Sequence, residues 1–276
     1  MKRNRRIWAC IAAATVIFAS QAAVLAQEVV LAQEEAKPAA AEASKPTAAV
    51  DMGVFSQYIW RGFEQSYNSV VIQPSVTLGY EGFSFNVWGN MDTDLHTRGS
   101  DTSESKYTET DFTLSYAKTL GMFKLSGGYI YYALTLATYD SQEVFASVGL
   151  DTILSPTLTV YREIAHSPAW YFNLGISHSQ PIYEKITLDL AASAGYYYSD
   201  TDNMVEVNDP ESKYREFNNG LVSAGLTIPF GEYFSVKPMI AYSFPLSGNA
   251  NDYITSVSIS NNSSFFYGGV TLSMAF

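Results

Sequence analysis

From residue 50 to the C-terminus, apolar and polar side chains alternate with a period of two. In the last segment Phe266, Gly268, Val270, Leu272, Met274 and Phe276 share one face, and Tyr267, Gly269, Thr271, Ser273 and Ala275 share the other. Successive side chains of a strand point to opposite sides of a sheet, so this pattern predicts a strand with one apolar face. Ile186, Leu188, Leu190, Ala192, Ala194 and Tyr196 alternate in the same way with Thr187, Asp189, Ala191, Ser193 and Gly195. So do Phe83, Phe85, Val87 and Met91 with Ser84, Asn86, Trp88 and Asn90. Twelve such segments are predicted, near 50–60, 70–80, 83–92, 108–118, 122–134, 142–151, 157–165, 169–179, 186–198, 217–228, 233–244 and 264–276.

The links between them alternate in length. Tight turns fall at Glu81-Gly82, Thr119-Leu120-Gly121 and Pro229-Phe230-Gly231-Glu232, and long polar links at 93–107, 199–216 and 245–263. Strands of about ten residues, short turns at one rim and long loops at the other are the signature of outer-membrane barrels. The expected fold is therefore all-β: a transmembrane antiparallel up-and-down β-barrel of about 12 strands. An even strand count puts both termini on one side, expected to be periplasmic. Alternation alone also fits a soluble sandwich or lipocalin-like barrel with its apolar face inward. The N-terminus, the loop rhythm and the terminal aromatic favour the membrane reading.

The N-terminus reads as a signal peptide, 1–26. Lys2, Arg3, Arg5 and Arg6 precede an apolar run from Ile7 to Ala19, and Val24-Leu25-Ala26 fits a small-x-small cleavage site. Cleavage after Ala22 is the alternative. The run is shorter than the roughly 20 residues of a membrane-spanning helix. Residues 27–49, rich in Ala and Glu and interrupted by Pro38 and Pro46, read as a flexible periplasmic leader. The barrel domain is then 50–276. The single cysteine, Cys10, lies within the signal, so thiol chemistry is not expected of the mature chain. Removing the signal takes away four basic residues and no acidic ones, so the formal charge falls from −11 to −15. That charge excludes a nucleic-acid partner, which needs a basic surface.

The chain holds 20 Tyr and 16 Phe. Aromatic girdles mark both rims of a membrane barrel. Tyr58, Trp60, Tyr129, Tyr131, Trp170, Tyr171, Tyr196 and Tyr198 are expected in the outer girdle, and Phe83, Phe123, Phe230, Phe234 and Phe276 in the inner one. The stretch from Tyr267 to Phe276 resembles the C-terminal assembly signature of outer-membrane proteins, matching at Leu272, Met274 and Phe276. Phe276 is therefore the expected assembly residue, with the barrel assembly machinery, outer-membrane lipid and lipopolysaccharide as partners.

Tyr58-Ile59-Trp60-Arg61-Gly62-Phe63-Glu64-Gln65-Ser66 opens the barrel region, followed by Ile72-Gln73-Pro74-Ser75-Val76 and Val87-Trp88-Gly89-Asn90. This order resembles the TorF family of porin-like outer-membrane proteins over the first three strands. The resemblance implies a porin-like barrel and carries no catalytic residue.

Polar residues expected on the lumen face are Gln57, Arg61, Gln73, Asp111, Lys124, Glu143, Asp189 and Lys237. They would line a path for small solutes, or pair off and close it. Arg61 and Glu64 are a candidate constriction at the outer mouth. The leading function is passive passage of small solutes; the alternatives are a non-conducting structural or surface-interaction barrel and, third, an outer-membrane hydrolase. Asp92-Thr93-Asp94 and Asp200-Thr201-Asp202-Asn203 put oxygen ligands in outside loops, where divalent cations are candidate partners. His166-Ser167 and His178-Ser179 are adjacent pairs, which in a strand point to opposite faces. His96 lies near Asp92 and Asp94. No hydrolase constellation, cofactor or resident metal is expected.

Overall fold

The computed structural model describes residues 45–97 and 104–276. The expected signal peptide, and the expected leader up to residue 44, lie outside the described residues. Twelve strands close into one antiparallel barrel: β1 (Thr47–Phe55), β4 (Val71–Tyr80), β5 (Phe83–Asp92), β6 (Lys106–Leu120), β7 (Phe123–Leu134), β8 (Ser141–Leu150), β9 (Thr157–Glu163), β10 (Ala169–Tyr183), β11 (Ile186–Ser199), β12 (Arg215–Phe230), β13 (Phe234–Pro245) and β14 (Phe265–Ala275). Each pairs with its sequence neighbour, and β1 pairs with both β4 and β14. The seam is fixed by its register, Met52 opposite Leu272 and Val54 opposite Val270. It is tied at the rim by Ala48 and Phe276, which exchange N–H···O bonds of 2.8 and 2.9 Å. Closure leaves no strand edge, as a hydrocarbon surround requires.

The two faces expected of the last segment are the two observed. In β14 Phe266, Val270 and Leu272 point outward and Phe265, Tyr267 and Ser273 point in. Around the barrel the outward set is apolar, including Leu78, Leu114, Leu174 and Ile240, each more than half exposed. A continuous apolar outer wall of this kind suits lipid, not water.

The links alternate as expected. Two residues join β4 to β5, β6 to β7 and β10 to β11. Glu81 and Gly82 both have positive φ, 51° and 85°, as a type I′ hairpin turn requires. Both strand termini, Thr47 and Ala275, lie at this short-turn end.

Three expectations fail at the long-link end. The first strand stops at Phe55 instead of reaching residue 60. After it, β2 (Ile59–Trp60) and β3 (Phe63–Glu64) form a small hairpin separate from the barrel sheet. Tyr58 and Trp60 are buried on this hairpin rather than placed in an outer girdle, because they have left the wall. Tyr171 is also buried, since the alternation of β10 turns it inward and its neighbour Trp170 outward. Finally, the link after β13 is not all loop. It holds helix α1 (Gly248–Val257), N-capped by Ser247, whose Oγ accepts from the Ala250 N–H. Its buried residues Ala250, Tyr253 and Ile254 lie at i, i+3 and i+4, one helix face.

Candidate functional site: a plugged lumen

The hairpin turns on Arg61 and Gly62, with φ of 45° and 86°. Positive φ is uncommon for a residue with a Cβ and is kept where surroundings hold it. Here they do. Arg61 is 4% exposed, and its two terminal nitrogens donate to the two carboxylate oxygens of Glu143 on β8, both at 2.9 Å. The guanidinium carbon lies 4.4 Å from the ring centre of Tyr161 on β9 and 4.2 Å from that of Tyr171 on β10. Trp60 covers it at 4.3 Å. Tyr132 on β7 donates to Glu143 Oε2 at 2.8 Å. A bidentate pair between aromatic faces is the arrangement a guanidinium fits and an ammonium does not.

The rest of the hairpin reaches the wall around most of the circumference. Tyr58 packs on Trp88 of β5 and bonds Glu109 of β6. Phe63 meets Tyr197 of β11 and Tyr253 of α1, with ring centres 6.0 and 6.2 Å apart. Asn218 of β12 donates to the Arg61 carbonyl at 2.7 Å. A Cβ on Gly62 would stand 2.7 Å from that of Asn219. Glu64 accepts from Gln57 and from the Ser260 N–H, both at 2.8 Å. Trp60, Phe63, Tyr132, Tyr197, Tyr214 and Ile254 are among the most deeply buried side chains. The long-link half of the lumen is therefore filled by the hairpin, α1 and the aromatics that meet them.

Below the plug the inner face is polar. Asn86 donates to Ser75 and Thr77, and Ser147 bonds Thr159. Asp51 accepts from Ser273, and Asp189 from Ser179 and Thr227. Lys237 lies in the field of Asp51 and Asp189. Lys124, near the short-turn rim, pairs with Asp151 at 3.2 Å and stays partly exposed.

The eight candidate lumen residues thus separate. Arg61 and Glu143 meet in the plug, with Asp111 fully buried at the same level on β6. Gln57 serves the hairpin, and Gln73 donates to Asn90 at 3.0 Å. Asp189 and Lys237 belong to the lower chamber and Lys124 to its mouth. Arg61 and Glu64 both sit in the hairpin but take different partners, Glu143 for the first and Gln57 and the Ser260 N–H for the second. The aromatic seat, Tyr132, Tyr161 and Tyr171, was missed, although all three have inward phase on their strands.

No protein-family model and no curated protein matches the chain. Solved structures of similar shape include the NanC porin, with a TM-score of 0.50 at 10% identity, covering 83% of this chain and 98% of that one. An outer-membrane channel from Pseudomonas putida F1 has a TM-score of 0.45 at 8% identity, covering 88% and 100%. An anion-selective porin from Comamonas acidovorans has a TM-score of 0.34 at 9% identity, covering 84% and 99%. The first likeness is one of porin-type barrel fold, and the other two are too distant to add to it.

The loop acids and histidines are otherwise engaged. Asp92 Oδ1 accepts from the Asp94 N–H, Asp200 pairs with Arg162, and Asp202 faces Lys213. Among the described residues no group of three His, Cys, Asp or Glu is placed to hold a metal. Each histidine Nδ1 donates to a backbone carbonyl: His96 to Asp94, His166 to Asp140 and His178 to Ile153.

Proposed function

We propose that the protein is a porin-like barrel of the outer membrane, shut at its outer mouth by the 56–70 hairpin. Small solutes pass only when the hairpin leaves its seat. The observation that carries this reading is the set of hairpin contacts, which run from β5 to β12 and onto α1. The plug makes the closed alternative the resting state. The polar lower chamber supports passage once the mouth is open, because Ser, Thr, Asn and scattered charges can line water. Of the three stretches that carry the TorF resemblance, 58–66 lies in this plug and the other two on β4 and β5 of the wall, so the first is read here as a closing element.

In this account the long links face outward, beside lipopolysaccharide, and both termini face the periplasm. The apolar wall faces outer-membrane lipid, and no catalytic step is involved. Planar-bilayer recording of the purified barrel tests the reading. Long closed intervals with brief openings are expected; a steady, ohmic current from every inserted barrel would overturn it.

A further inference from the structure

Apart from Trp60, which travels with the hairpin, the seat of Arg61 belongs to the wall. Glu143, Tyr132, Tyr161 and Tyr171 come from four consecutive strands, and the ladder fixes their spacing: Ile130 opposite Glu143, Phe145 opposite Tyr161, and Tyr161 opposite Tyr171. When the hairpin leaves, these four residues stay. What remains is a carboxylate oriented by a tyrosine hydroxyl and flanked by two aromatic rings, all within the lumen.

Such a site selects a planar cation. The carboxylate takes a forked donor through both oxygens, and the two rings, their centres 6.2 Å apart, approach the cation from adjacent sides. An ammonium ion, a compact and strongly hydrated point charge, satisfies neither feature as well. Asp111 and Glu109 project inward from β6 at the same level and add carboxyl oxygens beside the site. The turn conformation at Arg61 supports the same conclusion. Asn or Gly suits positive φ with less strain, so the arginine is there for its side chain.

We propose that Glu143, Tyr132, Tyr161 and Tyr171 form a binding site for guanidinium-bearing solutes, and that Arg61 occupies it as a tethered ligand in the closed barrel. A guanidinium solute competes with Arg61 for the seat. That competition during passage rests on the plug reading; binding to the vacated wall site does not.

The test uses the full mature barrel carrying Arg61→Gly, which empties the seat and suits the turn. Methylguanidinium, methylammonium and sodium chlorides are compared at equal ionic strength by isothermal titration calorimetry and thermal unfolding in detergent. A saturable methylguanidinium isotherm with a raised unfolding midpoint is expected, with neither for the other two salts. Adding Glu143→Gln should abolish both signals. Equal responses to all three salts, or no saturable binding of methylguanidinium, would overturn the proposal. Arg61→Asn, which also tolerates positive φ, replaces Arg61→Gly if the latter does not assemble. Bilayer current is recorded separately on the same variant. A variant that binds methylguanidinium, beside a parent barrel that conducts steadily and ohmically, would keep the site and remove the plug reading.

Discussion

Replacing Glu143 by Gln keeps the shape of the side chain and removes its charge. Arg61 is then a cation buried without its counter-ion, its side chain 2% exposed. Removing one partner of a buried pair costs about 3–5 kcal/mol. Gln keeps one acceptor oxygen, and the faces of Trp60, Tyr161 and Tyr171 remain, so the lower end, about 3 kcal/mol, applies. The twelve-strand ladder does not depend on this pair, whereas the seated hairpin does. The cost therefore falls on the equilibrium between seated and released hairpin. At about 1.4 kcal/mol per decade, the released fraction rises by roughly a hundredfold. The assay is open probability in planar bilayers at fixed voltage, with heat-modifiable gel mobility confirming a folded barrel. A folded Glu143→Gln barrel with the open probability of the parent would refute the reasoning. The double change Arg61→Met with Glu143→Met leaves neither partner of the pair as an uncompensated buried charge, and should return open probability toward the parent value.

Further expectations follow from other parts of the structure. Gly62→Ala adds a Cβ at φ 86°, 2.7 Å from that of Asn219. It should destabilise the seated hairpin by about 1–3 kcal/mol, read as faster protease cleavage within 56–70 of a folded barrel. Deleting Phe276 removes both bonds to Ala48 at the seam and the outward aromatic at the rim; the folded, heat-modifiable fraction should fall, and normal surface assembly would count against the assignment. Asp140, in the link after β7, accepts from the Tyr131 hydroxyl and from the Leu134 N–H, and both hold its carboxyl below the usual 3.8. A depressed carboxyl stabilises above its ordinary value and loses that contribution as pH falls through the lowered one. Order in this link should therefore persist at pH 5 and be lost only below about pH 4, seen in the Leu134 amide chemical shift and absent from Asp140→Asn. Ser247→Ala removes the α1 cap and should cost about 1 kcal/mol, measured as greater hydrogen exchange across 248–257.

The barrel was legible because its signal is repeated. Period-two alternation recurs in every strand, and Phe276 sets the phase of the last one. The plug was harder to read because Tyr58, Ile59 and Trp60 look like the continuation of the first strand. The sign that separates them is Arg61-Gly62 between apolar pairs, a two-residue hairpin turn. Helix α1 also left a trace: Ala250, Tyr253, Ile254 and Val257 follow i, i+3, i+4 and i+7 after a serine cap. That trace sits in a polar link between two strands of period two. The pairing of Arg61 with Glu143 had no local sign, because it joins residues 82 apart through the curvature of the closed sheet. Composition could place both residues on an inner face but not at one height.

On the proposed reading the 56–70 hairpin, and not the wall, closes the barrel. The direct measurement is single-channel conductance of the intact chain against a chain in which residues 57–66 are replaced by a short Gly-Ser link. A mostly closed intact barrel and a continuously conducting deletion barrel are expected, with the same folded gel mobility for both. Equal conductance from two folded barrels would contradict it.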